Sequence, residues 1–142
     1  MATTVVDLLG GEKILGKKAS QPFGLIEKIR EGLPYRSLER VRKALDLSRE
    51  ETSRTLDIPL RTLDRRKMSG RLNKAESERV YRVARATARA TEVLEDPGKA
   101  ASWLRRPNRA LGYRVPIELL DTNPGEEEVE TILGRIEHGV FS

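Results

Sequence analysis

The sequence predicts an all-α fold in which one long helix joins two small helical modules. Three observations predict it. Apolar residues recur at helical intervals almost everywhere after residue 34, and cap and turn residues punctuate them at short distances. One stretch, from Asn73 to Asp96, has no breaker at all, which at the usual rise is roughly 35 Å of helix. With 37% hydrophobic residues and only 4% aromatics in 142 positions, the interior is modest, so one core shared by small parts suits the chain better than two large ones.

Taken in order, the first 35 residues are the least readable. "TTVVDLL" suits a strand or a helix, Gly10 and Gly11 interrupt it, and "FGLIEKIREGLP" suggests a short helix closed by Gly32 and Pro34. Ser37 then stands as the N-cap of a helix with apolar positions at 38, 41, 45 and 47. Ser48, followed three residues later by Glu51, is a capping box that opens a second helix to about Leu56. Pro59 suits the first turn of a third, which ends near Ser69 and Gly70. Asn73 with Glu76 caps the long helix. Asp96 and Pro97 open a short helix through Trp103 and Leu104 that Pro107 and Asn108 stop, and Pro116 begins another that ends near Leu120. The last helix starts at Asn123 and Pro124, with Glu126 to Glu128 in its first turn, and Gly139 ends it.

Charge divides the chain more sharply than its net value of +5 suggests. Residues 1–35 carry a net +1, 36–90 carry +8 and 91–142 carry −4. The basic middle calls for a polyanion and the acidic end for a different partner. The chain has no cysteine, which excludes disulfides, thiolate nucleophiles and cysteine-based metal sites. No apolar run approaches the roughly 18 residues of a membrane span, so a soluble, cytoplasmic protein is expected.

Three short helices in series, the second and third joined by a tight turn, are the parts of a helix-turn-helix. Such a motif needs a small residue inside its second helix, and Ser53 is there. It needs inward apolar residues, which Leu47, Leu56, Ile58 and Leu63 supply. The outward face of the third helix must offer donors to phosphates and base edges, and Arg61, Thr62, Arg65, Arg66 and Lys67 lie on or near it. Arginine's planar fork serves either purpose. Arg61 and Arg65, nearer the start of the helix, are expected at bases, and Arg66, Lys67 and Arg71 at phosphates. The plainer reading of the same residues is a solvated face of a helical bundle.

The string "LSREETSRTLDIPLRTLDRR" resembles the helix-turn-helix of the Xre/Cro repressors, with Thr52 where a core leucine is common and Asp57 in place of the turn glycine. Further on, "AxxWLxxPNxALG", "PxELLDT" and "GxxxVExxLGRIEHGVFS" look like the toxin-binding domain of Xre-type antitoxins from RES/Xre toxin-antitoxin pairs, the Xre/MbcA/ParS group. The resemblance covers roughly residues 30–142. It implies a DNA-binding domain over 36–90, a toxin-binding domain with a C-terminal tail over 91–142, and a less defined segment over 1–35. It also implies a non-enzymatic antitoxin without cofactor or metal. Such a protein forms homodimers and higher assemblies with its toxin, represses its own operon through operator DNA, and sequesters a RES toxin that depletes NAD. Carried over by position, toxin contacts come from Trp103, Asn108 and Leu111, and above all from the end of the chain: Ile136, His138, Gly139, Val140, Phe141 and Ser142. The tail invites this on its own account, because Val140 and Phe141 follow a helix stop with nothing that obliges them to pack. Tyr113 replaces a common second glycine after "ALG", which puts the turn at Leu111 to Arg114 in question.

Other signals point elsewhere and are weaker. "GEKILGKK" matches Gly-x-x-x-x-Gly-Lys, but Lys18 stands where a phosphate loop needs Ser or Thr. His138 is the single histidine, with no nucleophile or ligand set near it in sequence, and the glutamates at 126–130 are explained by the helix dipole. Two other readings of the whole chain stay open: a stand-alone repressor whose C-terminal part only dimerises or senses a ligand, and an adaptor that no longer binds DNA.

Overall fold

The computed structural model describes residues 4–139, and among them the chain forms nine α-helices and three 3-10 turns. The helices are α1 (Val5–Leu8), α2 (Gly11–Leu15), α3 (Gly24–Glu31), α4 (Tyr35–Ala44), α5 (Arg49–Leu56), α6 (Leu60–Ser69), α7 (Lys74–Leu94), α8 (Pro97–Arg105) and α9 (Asn123–Glu137). The 3-10 turns cover Lys17–Ser20, Arg109–Leu111 and Pro116–Leu119.

The long helix α7 is the spine, opened by the capping box between Asn73 and Glu76. Its buried positions are mostly small: Val80, Val83, Ala84, Ala86, Thr87, Ala88 and Ala90. Small side chains let neighbours approach the axis from several directions, and α1, α3, α4, α5, α8 and α9 all pack on it. Leu104 of α8 and Leu133 of α9, both fully buried, close one end of this core, and Leu38, Leu45 and Ile58 close the other.

The opening segment resolves to helix rather than strand. Thr4 and Asp7 form a reciprocal capping box, each side chain accepting from the other's backbone N–H at 3.1 Å. Leu9, Leu15, Ala19 and Leu33 belong to the same buried cluster as the rest of the chain.

Helix α4 starts three residues earlier than its sequence suggests. Pro34 sets the entry with φ −58° and ψ 145°, and Ser37 lies inside the helix, fully buried. Its hydroxyl donates to the carbonyl of Leu9 at 2.7 Å, so it ties α4 to the N-terminal segment instead of capping a helix. Pro116 begins a 3-10 turn rather than an α-helix. The remaining starts and stops from residue 48 onward fall within about two residues of their expected positions.

Candidate nucleic-acid interface and C-terminal docking surface

Helices α5 and α6 cross through a turn that the sequence makes unusual. Asp57 sits in the left-handed region at φ 52° and ψ 48°, the conformation for which this turn usually carries glycine. Ser53 is small enough for α6 to pass, and its hydroxyl also donates to the Ile58 carbonyl at 2.6 Å. Arg79 of α7 donates to the carbonyls of Leu56 and Asp57 at 3.3 and 3.1 Å, satisfying the end of α5. Thr52, buried at 2% exposure, has its hydroxyl satisfied by the Ser48 carbonyl at 2.7 Å, which makes a polar residue acceptable in a leucine's place. Leu47, Leu56, Ile58 and Leu63 are all buried, as expected.

On α6 the basic residues separate into two groups. Arg61, Arg65 and Lys67 are exposed, and Thr62 is half-buried beside Arg65. Arg66 has turned inward: its Nε donates to Oε1 of Glu76 at 2.8 Å, and that carboxylate is 7% exposed. Arg71 reaches back to the Gly32 carbonyl at 3.1 Å. Arg66 and Arg71 therefore have structural partners that the sequence did not announce.

Two residues of this face went unnoticed in the sequence. Arg49, at the start of α5, grips both oxygens of Asp64 on α6 at 2.7 and 2.6 Å. Met68 is 89% exposed and falls in line with Arg61 and Arg65 at i+7 and i+3, making one outward stripe. The i, i+4, i+7 spacing was the available signal for Met68. Nothing in the sequence links Arg49 to Asp64.

The C-terminal surface is built on α8, α9 and the turn between them. Asp96 caps α8 by accepting from the Lys99 N–H at 2.7 Å. Trp103, half-buried, lines a groove of about 550 Å³ with Leu94, Lys99, Arg106, Pro107 and Asn108. Asn108 caps the following 3-10 turn through Oδ1, which accepts from the Ala110 N–H at 2.9 Å, and its backbone pairs with Arg114. Leu111 points into the core at 7% exposure. Asn108 and Leu111 thus shape the surface, while Trp103 presents an edge of it.

The turn keeps its form despite Tyr113. Gly112 and Tyr113 are both left-handed, at φ 66° and 65°, and the Tyr113 N–H donates to the Asn108 carbonyl at 2.8 Å. The tyrosine ring is 69% exposed, so it contributes little packing to offset the strain. Tyr113→Gly should therefore raise stability by ~0.5–1 kcal/mol, seen as a higher melting temperature. A lower one would mean that the exposed ring carries a stabilising contact.

Helix α9 is clamped to α7 by one arginine. Arg89 donates to Glu137 through two bonds of 2.8 Å and to Glu130 at 2.8 Å, with Glu92 at 3.3 Å. Bonding to Arg89 holds the Glu137 carboxyl below its ordinary range and raises the arginine further above its own. Ile136 packs on the core beside this clamp, His138 is exposed, and Gly139 turns left-handed at φ 73°. Val140, Phe141 and Ser142 lie outside the described residues.

Two family descriptions match the chain in the order of these surfaces. Residues 24–85 match an antitoxin Xre-like helix-turn-helix domain, and residues 89–139 match the antitoxin Xre/MbcA/ParS C-terminal toxin-binding domain. An Antitoxin Xre from Yersinia enterocolitica is 36% identical over 130 residues, which cover 90% of this chain and 88% of that protein. The chain belongs to the Xre antitoxin family. A second Antitoxin Xre, from Photorhabdus laumondii, is 34% identical over 80% of this chain and 78% of its own. A Sphingobium protein called Prs ADP-ribosylating antitoxin is 29% identical over 87% of this chain and 84% of its own. In this Xre-family antitoxin the two matched segments meet inside α7, so one continuous helix carries both modules.

A cross-strut also joins the two modules of the antitoxin. Arg105 of α8 donates to Glu51 of α5 at 2.7 Å. The bond that Glu51 accepts from the Ser48 backbone N–H, together with Arg105, lowers its pKa to about 2. The capping box of the helix-turn-helix unit is thereby tied to the first helix of the segment matching the toxin-binding domain.

Proposed function

We propose that this antitoxin neutralises an NAD-consuming toxin of the RES class and represses its own operon by presenting α6 to operator DNA. The observation that carries the reading is the division of surfaces along α7. An outward stripe of arginines on α6, without carboxylate partners among the described residues, lies in one module, and a tryptophan-edged groove with a clamped terminal helix lies in the other. Arg61 and Arg65 reach base edges, with Thr62 and Met68 beside them, and Lys67 takes a phosphate. Arg66 and Arg71 anchor α6 and add positive potential to the same phosphates. Trp103 and Ile136 to Gly139 form the base from which Val140, Phe141 and Ser142 enter the toxin, and Asn108 and Leu111 hold the turn that frames it.

The Sphingobium relative's name favours a closely related chemistry. ADP-ribosyl transfer and NAD hydrolysis both break the bond between nicotinamide and ribose and differ in what accepts the ribose. Co-expression with the product of the neighbouring reading frame tests the function and separates the two. The two chains should copurify, and truncation after Glu137 should release an activity that drains cellular NAD. Free ADP-ribose then marks hydrolysis, and label retained on a protein marks transfer. If no partner copurifies and NAD is untouched by the truncated chain, the reading gives way to a stand-alone repressor.

A further inference from the structure

The outward stripe of α6 ends on a side chain that a phosphate-binding helix does not need. Met68 is 89% exposed, is not among the side chains packed on the core, and shares its stripe with Arg61 and Arg65. A single apolar residue on a surface is ordinary. Its place in this stripe is not, because the other two members carry donors and a grip on phosphates gains nothing from a thioether.

Three further observations bear on what Met68 meets. The end of α6 is open: Ser69 and Gly70 are exposed, and a Cβ placed on Gly70 would meet nothing within 4 Å, so a duplex lying along the helix can approach as far as Met68. Asp64, the only acid of α6, is held through both carboxylate oxygens by Arg49. No free carboxylate beside the stripe therefore repels the acceptors on base edges. The third observation is spacing. At the α-helical rise Met68 lies about 4.5 Å beyond Arg65 and about 10.5 Å beyond Arg61, close to one and three base-pair steps of about 3.4 Å. Among the four standard bases, the major groove offers one apolar feature, the C5-methyl group of thymine. The flexible, polarizable thioether of methionine adapts readily to such a contact.

We propose that Met68 is a specificity-determining residue that reads thymine, packing its thioether on the C5-methyl group one base step beyond the base edge met by Arg65. The proposal rests on the DNA-binding reading of α6 and adds to it the class of base at one position of the site. Thr62 is the competitor for that role, since it also carries a methyl group. It is half-buried, however, and its hydroxyl lies 3.5 Å from the guanidinium of Arg65, where it supports the arginine. Met68 alone combines an apolar end with full access on the line through Arg61 and Arg65.

The test removes the methyl group and nothing else. Duplexes enriched by the full chain from a random-sequence pool supply the probe, and each thymine in turn is replaced by deoxyuridine. Wild type should lose about three- to tenfold in affinity at one thymine of each half-site and little at the others. Met68→Gln, similar in length, should bind the thymine duplex about as weakly as wild type binds the uracil one, and should no longer distinguish the two. Thr62→Ser should keep the full distinction. Three outcomes would each overturn the assignment: equal affinity of wild type for every uracil-substituted duplex, methyl dependence lost in Thr62→Ser but kept in Met68→Gln, or a Met68→Gln chain whose mass in solution differs from wild type. The last would place the side chain against another protein. Failure of the DNA-binding reading looks different, because then no duplex is enriched and both readings fall. An enriched duplex bound with a steep salt dependence but no methyl effect leaves α6 on the DNA and removes only the role of Met68.

Discussion

Gly32→Ala should cost the antitoxin ~3–5 kcal/mol of stability. Gly32 ends α3 at φ +103°, and a Cβ there would lie 2.0 Å from the carbonyl oxygen of Leu72. That oxygen belongs to the junction between α6 and α7, which is stitched to the junction between α3 and α4. Leu72 N–H donates to the Leu33 carbonyl at 2.9 Å, Tyr35 N–H to the Gly70 carbonyl at 2.9 Å, and Leu33 N–H to the Ser77 hydroxyl at 2.7 Å. Because the clash is with backbone, the two junctions must separate and these buried bonds lengthen together. Native domains have only about 5–15 kcal/mol in hand, so the variant should be partly unfolded at physiological temperature. Gly70→Ala is the control, because Gly70 is also left-handed, at φ +83°, but a Cβ there meets nothing within 4 Å. It should cost only about 1 kcal/mol in a denaturant titration. Equal losses for the two variants would refute the idea that the backbone approach, rather than the dihedral angle, makes Gly32 irreplaceable.

The stitched junction also shows where sequence reading stops. Local chemistry was legible: Ser48 with Glu51 and Asn73 with Glu76 form the capping boxes their spacing announces, Gly70 ends α6, and the uninterrupted run after Asn73 is one helix. Each of these depends on residues within four positions of one another. Ser37 misled because its hydroxyl answers a carbonyl 28 positions away, and no local pattern distinguishes that from a cap. The N-terminal segment was ambiguous for the same reason, since Leu9, Leu15 and Leu33 are placed by the core they join. Arginines were the hardest to sort. Arg61 and Arg65 face outward, while Arg66, Arg79, Arg89 and Arg105 hold carboxylates or carbonyls up to 54 residues away. A guanidinium that clamps a helix and one that faces solvent are the same letter in the sequence.

That sorting decides what substitutions in α6 should do. Arg61→Ala combined with Arg65→Ala should weaken operator binding on the order of a hundredfold or more, since each well-placed arginine contact to a base is worth about 1–3 kcal/mol. Both side chains are exposed and neither has a carboxylate partner among the described residues, so folding and toxin neutralisation should be unchanged. Lys67→Ala, at a phosphate position, should instead weaken binding to all sequences alike and reduce the salt slope of the affinity by about one. Arg66→Ala should behave differently again. It strands Glu76, 7% exposed, without its cation, so the loss should register in thermal stability before it registers in DNA selectivity. Competition binding against operator and unrelated duplexes at several salt concentrations reads all three effects. Unchanged operator affinity in the Arg61 and Arg65 double variant would remove α6 from the DNA altogether. A uniform loss across sequences would leave α6 on the DNA and restrict both arginines to its phosphates.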